Sequence, residues 1–215
     1  MKKFLNLKNI IIILFLFIFY TFICAFSYAN TISDNISNNV FRLHVIANSD
    51  SSEDQNLKLL VKDNLIKYMN TICKNCKTKD EAIIIAKQNK SIFYKIAKET
   101  IISNGYNYDV KINFGNYIFP TKNYGDISLP SGNYDALKVE IGEAQGKNWW
   151  CVMFPPLCFI DISSGIVPDE SKENLKENLS NEEFAIINNQ NDLTINFKFK
   201  ILELFNLSNL LTAKK

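Results

Sequence analysis

The order of patterns along this chain predicts an α+β fold: a mostly antiparallel sheet with two antiparallel helices packed on one face, behind an N-terminal secretory segment. Three observations predict it. A single strand pattern comes first, two long helical patterns follow, and from Tyr106 the apolar period falls to two. A doubly wound nucleotide fold is not expected, because no glycine pattern after a strand would cradle a phosphate. The chain has no internal repeats, and its 215 residues, 47% of them hydrophobic, suffice for one domain with a full core.

Residues 1–29 read as a targeting segment. Lys2, Lys3 and Lys8 precede a charge-free run from Ile10 to Phe26, and Ser27-Tyr28-Ala29 places small residues where a signal peptidase reads. The run of 17 residues stands between a long signal core and a short anchor. Cleavage after Ala29 is the first expectation and an uncleaved anchor the second; before any cleavage this segment contacts the membrane. Either way the lysines stay in the cytoplasm and the rest is exported. Ile23 before Cys24 is too bulky for a lipoprotein signal. Formal charge is +2, but without the first 29 residues 21 basic side chains face 22 acidic ones. No basic excess remains to engage nucleic acid.

Residues 30–39 are Ser/Asn-rich and lack periodicity, so a flexible linker is expected before a single domain at 40–215. Val40 to Ala47 reads as a strand inside the sheet, with Phe41, Leu43 and Val45 on one face and Arg42 and His44 on the other, only partly exposed. The Asn48–Ser52 turn leads into a helix to about Ile72, with Ser52 as N-cap and Gln55 completing a capping box. Its stripe is Leu57, Val61, Leu65, Tyr68 and Ile72. Thr78-x-x-Glu81 opens a second helix, Lys79 to about Ser103, whose stripe is interrupted by the polar Asn89. Asn104-Gly105 closes it, and the short connection makes the two helices antiparallel.

Tyr108, Val110, Ile112 and Phe114 alternate as a strand, with Tyr117 to Phe119 as a continuation past Gly115-Asn116. Pro120 to Gly125 reads as a loop and Leu129 to Tyr134 as a turn. Ala136 to Glu143 is a strand, joined by a hairpin turn at Gln145-Gly146-Lys147 to a strand Trp149–Phe154. Residues 163–181 read as a surface loop with a short helix, and 193–211 as an amphipathic helix or terminal strand.

The most distinctive stretch is Asn148 to Asp161, NWWCVMFPPLCFID. In a strand Trp149 and Trp150 point to opposite faces, so one is expected in the core and the other toward solvent or a partner. Pro155-Pro156 ends the ladder. A straight strand would hold Cys151 and Cys158 about 23 Å apart, whereas a disulfide needs alpha carbons within roughly 7 Å. A bridge requires the chain to double back at Phe154-Pro155-Pro156; a disulfide and two buried free thiols remain equal alternatives.

Chemistry-bearing residues are sparse. His44 is the only histidine, and a serine triad through Ser49 or Ser51 and Asp50 lacks a nucleophile elbow. Asp50, Glu53 and Asp54 lack the spacing of a calcium loop. Only Cys73-x-x-Cys76 has zinc spacing, so no metal site is expected. No cofactor is expected. An extracytoplasmic hydrolase acting on envelope material, with His44 and the Asp50–Asp54 acids as its site, is the alternative to a binding protein. Trp and Arg most often dominate interface energetics. The candidate partner surface is therefore Arg42, His44, Asn48, Asp50, Trp149 and Trp150, with one tryptophan and either Arg42 or Asn48 making the contact.

Three motifs carry a resemblance: Phe41-Arg42-Leu43-His44-Val45-Ile46-Ala47-Asn48-Ser49-Asp50, Leu129-Pro130-Ser131-Gly132-Asn133-Tyr134-Asp135-Ala136-Leu137, and Asn148 to Phe159. In this order, behind a secretory segment, they closely resemble the stage II sporulation protein R family of endospore-forming bacteria. The resemblance covers Phe41 to Asp161, with a weaker match at Phe199 to Phe205. It implies a signalling protein and not an enzyme. Such a protein is made in the forespore and exported to the intermembrane space facing the mother cell. There it activates the membrane-embedded aspartic protease that processes the precursor of sigma-E. The resemblance supplies no catalytic residues, and Cys73 and Cys76 lie outside the family pattern.

Overall fold

A computed structural model describes residues 6–158, 167 and 169–188. Its order is α1 (Leu7–Asn38), β1 (Phe41–Ile46), α2 (Ser52–Ile72), α3 (Lys79–Gln88), α4 (Lys90–Ser103), β2 (Val110–Phe119), β3 (Lys122–Tyr124), β4 (Ile127–Leu129), β5 (Gly132–Ile141), β6 (Asn148–Phe154), α5 (Asp169–Asn178) and α6 (Asn181–Ile187). The α+β expectation holds. The main sheet has the order β2-β5-β1-β6, antiparallel except between β1 and β5.

Strand alternation splits the sheet into two faces. Phe41, Leu43, Val45, Val110, Ile112, Leu137, Val139, Ile141, Cys151 and Met153 form one core with Leu57, Val61, Leu65, Phe93, Ala97 and Ile101 from the helices. This is the expected helix layer. The second face is also covered over part of its length. Val40, Tyr134, Ala136 and Val152 pack with Ile32 and Ile36 of α1, Ile127 and Leu129 of the β3–β4 hairpin, Leu175 of α5, and Phe184 and Ile187 of α6.

Several local expectations need correction. Residues 30–39 are not a linker without structure: α1 continues to Asn38, because Ile32 and Ile36, one helical turn apart, are both buried. Ser51 and not Ser52 caps α2, its Oγ accepting from the Asp54 N–H at 3.2 Å, while Gln55 donates to the Ser49 carbonyl. The second long helix breaks at Asn89, whose Oδ1 accepts from Tyr68 at 2.9 Å and whose amide nitrogen donates back to Ile85. The polar interruption in the stripe marks that break. The strand through Gly115-Asn116 is continuous, paired with β5 along its whole length.

The expected hairpin between β5 and β6 is absent, because β1 lies between them. The Gly142–Lys147 connection crosses the end of β1 and is bonded to it: Gly146 N–H donates to the Ala47 carbonyl and Gln145 N–H to that of Asn48. The loop and turn at Pro120–Tyr134 instead contain the β3–β4 hairpin, closed at Gly125 with φ +57°. The stretch 163–181 contributes α5, and α6 follows under a capping box of Ser180 and Glu183. Phe159 to Asp161, the tail at 193–211 and the stretch Phe199–Phe205 lie outside the described residues.

Candidate functional site

Register places four residues side by side in each cross-sheet row on the second face. Asn113, Lys138, His44 and Trp150 form one row; Lys111, Glu140, Ile46 and Asn148 form the next, at the end of the sheet. Beyond the covering layer these two rows keep exposure: Lys111, Asn113 and Asn148 are exposed, and Lys138, Glu140, Ile46 and Trp150 are half-buried. Lys138 and Glu140 pair at 2.8 Å. The result is an aromatic centre with a polar rim, the composition that protein interfaces favour.

His44 is the hinge of this surface. Its ring stacks on Trp150 with centroids 3.8 Å apart, its Nε2 is 2.7 Å from Asn148 Oδ1, and only 7% of it is exposed. Burial pushes its pKa below 6.5; the Asn148 bond and Glu140 oppose this without reversing it, and Lys138 adds to it. The imidazole is therefore neutral at pH 7. Its Nδ1 has no hydrogen-bond partner, and no carboxylate bonds to the ring among the described residues. The acids proposed to work with it are engaged elsewhere. Asp50 accepts from the Lys147 N–H at 2.7 Å, and Asp54 accepts from Asn48 and Ser49 at 2.8 and 2.6 Å. Burial raises the Asp54 pKa, but the bonds from Ser49, Asn48 and Tyr108 outweigh it and hold the carboxyl below its ordinary value. Among the described residues, His44 and the Asp50–Asp54 acids are therefore not joined as an acid–base pair.

Arg42, expected on a partly exposed face, is fully buried one row further in. Its guanidinium lies 4.2 Å from the Phe119 ring centroid, 4.6 Å from Tyr134 and 5.7 Å from Tyr124, and donates to the Tyr124 hydroxyl at 2.5 Å. Phe119 in turn meets Trp150 edge-on at 4.7 Å. Arg42 thus supports the aromatic surface from beneath and cannot itself meet a partner. Asn48 is likewise structural. It donates to Asp54 and accepts from the Glu143 N–H at 3.0 Å, clamping the β1–α2 turn to the crossing loop. Gly142, at φ +56°, and Gly146 make the clamp possible, since a side-chain carbon on either would collide with Asn48 or with the Ser49 carbonyl.

The tryptophans do point to opposite faces, but neither is simply core or simply exposed. Both are half-buried. Trp149 packs on the helix side with Lys62 Nζ 4.6 Å above its ring, and Trp150 packs on the second face. Both cysteine pairs are disulfides, Cys73–Cys76 and Cys151–Cys158, with alpha carbons 5.0 and 5.7 Å apart. The second closes the turn that follows β6, where the Phe154–Pro155 peptide is cis and the chain doubles back.

Sequence reasoning missed Lys111, Asn113, Lys138, Glu140 and Asn148 as surface partners of Trp150. The alternation of Lys138 and Glu140 with Leu137, Val139 and Ile141 was visible. Their meeting with Trp150 depends on β1 lying between β5 and β6, which no local pattern encodes.

A family model described as stage II sporulation protein R matches residues 37–164, more than half of the chain. The chain belongs to that family. Stage II sporulation protein R of Bacillus subtilis (strain 168) is 39% identical over 144 residues, 66% of this chain and 64% of that protein. The chain therefore matches less than two thirds of that relative's length. No solved structure matches it. A role in sporulation stage II follows from the family, and the N-terminal apolar helix is of the kind that directs export.

Proposed function

We propose that this protein is an exported sporulation signal that activates, by binding, the membrane-embedded aspartic protease for pro-sigma-E from the space between forespore and mother cell. The family assignment supports the sporulation role, and α1 supports export. The observation that carries the binding reading is the pair of open rows around Trp150. The large aromatic Trp150 is packed by His44 and Phe119, with Lys138 in its own cross-sheet row and Asn148 and Glu140 in the next, and among the described residues no carboxylate bonds to His44. A preorganised aromatic with a polar rim favours recognition, because little side-chain freedom is lost on association. The protein acts as a ligand, and the protease supplies the chemistry.

The test is reconstitution. Vesicles carrying the protease and pro-sigma-E receive the purified protein on their extracytoplasmic side. Processing should begin only when it is added, and should saturate with its concentration as a binding isotherm does. Release of product from envelope material by the protein alone, with no effect on the protease, would instead support the hydrolase reading.

A further inference from the structure

The chain between Asn9 and Ser33 carries no charge, and α1 runs through it unbroken into the folded domain. Ile10 to Ala29 is exposed apart from Thr21, although the stretch is long and apolar enough to cross a membrane. These 20 residues span about 30 Å, the thickness of the hydrocarbon layer. Lys8 then falls at the cytoplasmic boundary and Tyr28 at the other, where interfacial lysine and tyrosine belong. Ile32, the first buried residue of α1, lies about 4–5 Å further, inside a headgroup layer about 5–8 Å deep.

The same helix is fastened to the domain. Ile32 and Ile36 are buried, Asn35 donates to Glu183 of α6 at 2.6 Å, and Ser33 Oγ lies 3.4 Å from the Ser131 carbonyl. Gly132 lets this contact close, since a side-chain carbon there would already stand 3.3 Å from Ser33 Oγ. A groove of about 400 Å³ lies at the junction, lined by Tyr28, Ala29, Thr121, Ser128, Pro130 and Ile186. Ile186 is 42% exposed beside it.

We infer that α1 stays attached, crosses the membrane and docks rigidly on the domain, so that the groove end of the domain rests on lipid headgroups and the lipid surface is its occupant. Proteolysis requires extended backbone, and Ser27-Tyr28-Ala29 lies within an unbroken helix whose C-terminal part is docked on the domain. The rigid attachment also orients the signalling surface. Helix α1 touches β5 at Gly132, and the other end of that strand is nine steps, about 30 Å, away. There lies the Asn48–Asp50 clamp, with Asn148 one step short of it; Trp149 and Trp150 pair through β1 with Val139 and Lys138, seven and six steps from Gly132 and so about 20 Å or more from the α1 contact. This inference rests on the export reading and not on activation of the protease.

The full chain is reconstituted in phosphatidylethanolamine–phosphatidylglycerol vesicles containing lipids brominated near the headgroup, which quench nearby tryptophan. The native Trp149 and Trp150 should be unquenched. Ile186→Trp should add an emission component that is quenched, and Thr121→Trp provides the same readout if the first substitution disturbs α6. Inserting a flexible eight-residue Gly/Ser segment between Ala29 and Asn30 should keep the protein on vesicles but abolish that quenching. Intact mass of the membrane-bound protein should include residues 1–29. The inference is overturned if both new tryptophans behave like the native ones, if quenching survives the insertion, or if the recovered protein begins at Asn30. None of these readouts involves the protease, so they stand or fall apart from the proposed function.

Discussion

Arg42 has no exposed surface, and among the described residues no carboxylate forms an ion pair with it. Its compensation comes from three ring faces, the Tyr124 hydroxyl and, at 3.5 Å, the Cys151 carbonyl. A planar, weakly hydrated guanidinium suits such a site, whereas an ammonium brings a tightly hydrated point charge. Arg42→Lys should therefore destabilise the fold by about 2 kcal/mol or more, read as a lower urea midpoint. Arg42→Met, which buries no charge, should cost less. Equal stability of the Lys variant and wild type would show that the planar cation is not what the site uses. His44 makes a second prediction at this scale. Its folded pKa lies below its unfolded 6.5, so the unfolded chain binds the extra proton first. The stability held above pH 6.5 is lost as pH falls through the folded value. The thermal midpoint should drop between pH 7 and 5.5, and His44→Gln should flatten that drop. An unchanged slope in the variant assigns the effect to another group.

At the scale of elements, the Cys151–Cys158 bridge fixes the turn that ends β6 and thereby the position of Val152, whose N–H lies 3.2 Å from Cys158 Sγ. Closing so short a loop should contribute about 2–3 kcal/mol through the unfolded chain. Paired Cys151→Ser and Cys158→Ser should lower stability by that amount, and unreduced, alkylated wild-type protein should show no label at either position. Labelling at both would place free thiols there. Local pattern made β1, α2 and the tryptophan strand legible, because alternation, helical stripes and capping signals act over a few residues. The break at Asn89 was visible only as a polar residue in an apolar stripe; its cause, the bond to Tyr68, is tertiary. The sandwiching of β1 between β5 and β6 was not legible. A crossing loop and a hairpin turn share the same glycines, and only the bonds from Gln145 and Gly146 to β1 distinguish them. The second covering layer was missed for a related reason: its pieces come from segments far apart in the chain, α1, the β3–β4 hairpin, α5 and α6.

For the whole molecule, the helix layer and the covering layer leave one end of the second face open. The candidate site was half legible. Trp150 and His44 were evident from composition, but Arg42 and Asn48 turned out to hold the surface together. This open face, centred on Trp150, is the proposed docking surface for the protease. The most direct measurement is the affinity of the folded protein for the protease in lipid nanodiscs, compared between Trp150→Ala and Ile118→Ala. Ile118 is 78% exposed on β2, its side chain alternating onto the opposite face from Tyr117 and Phe119, and serves as the control. With folding verified by thermal denaturation, Trp150→Ala should weaken binding by about 30-fold or more, equivalent to about 2 kcal/mol, while Ile118→Ala binds as wild type. A folded Trp150→Ala protein with undiminished affinity would place the binding surface elsewhere on the molecule.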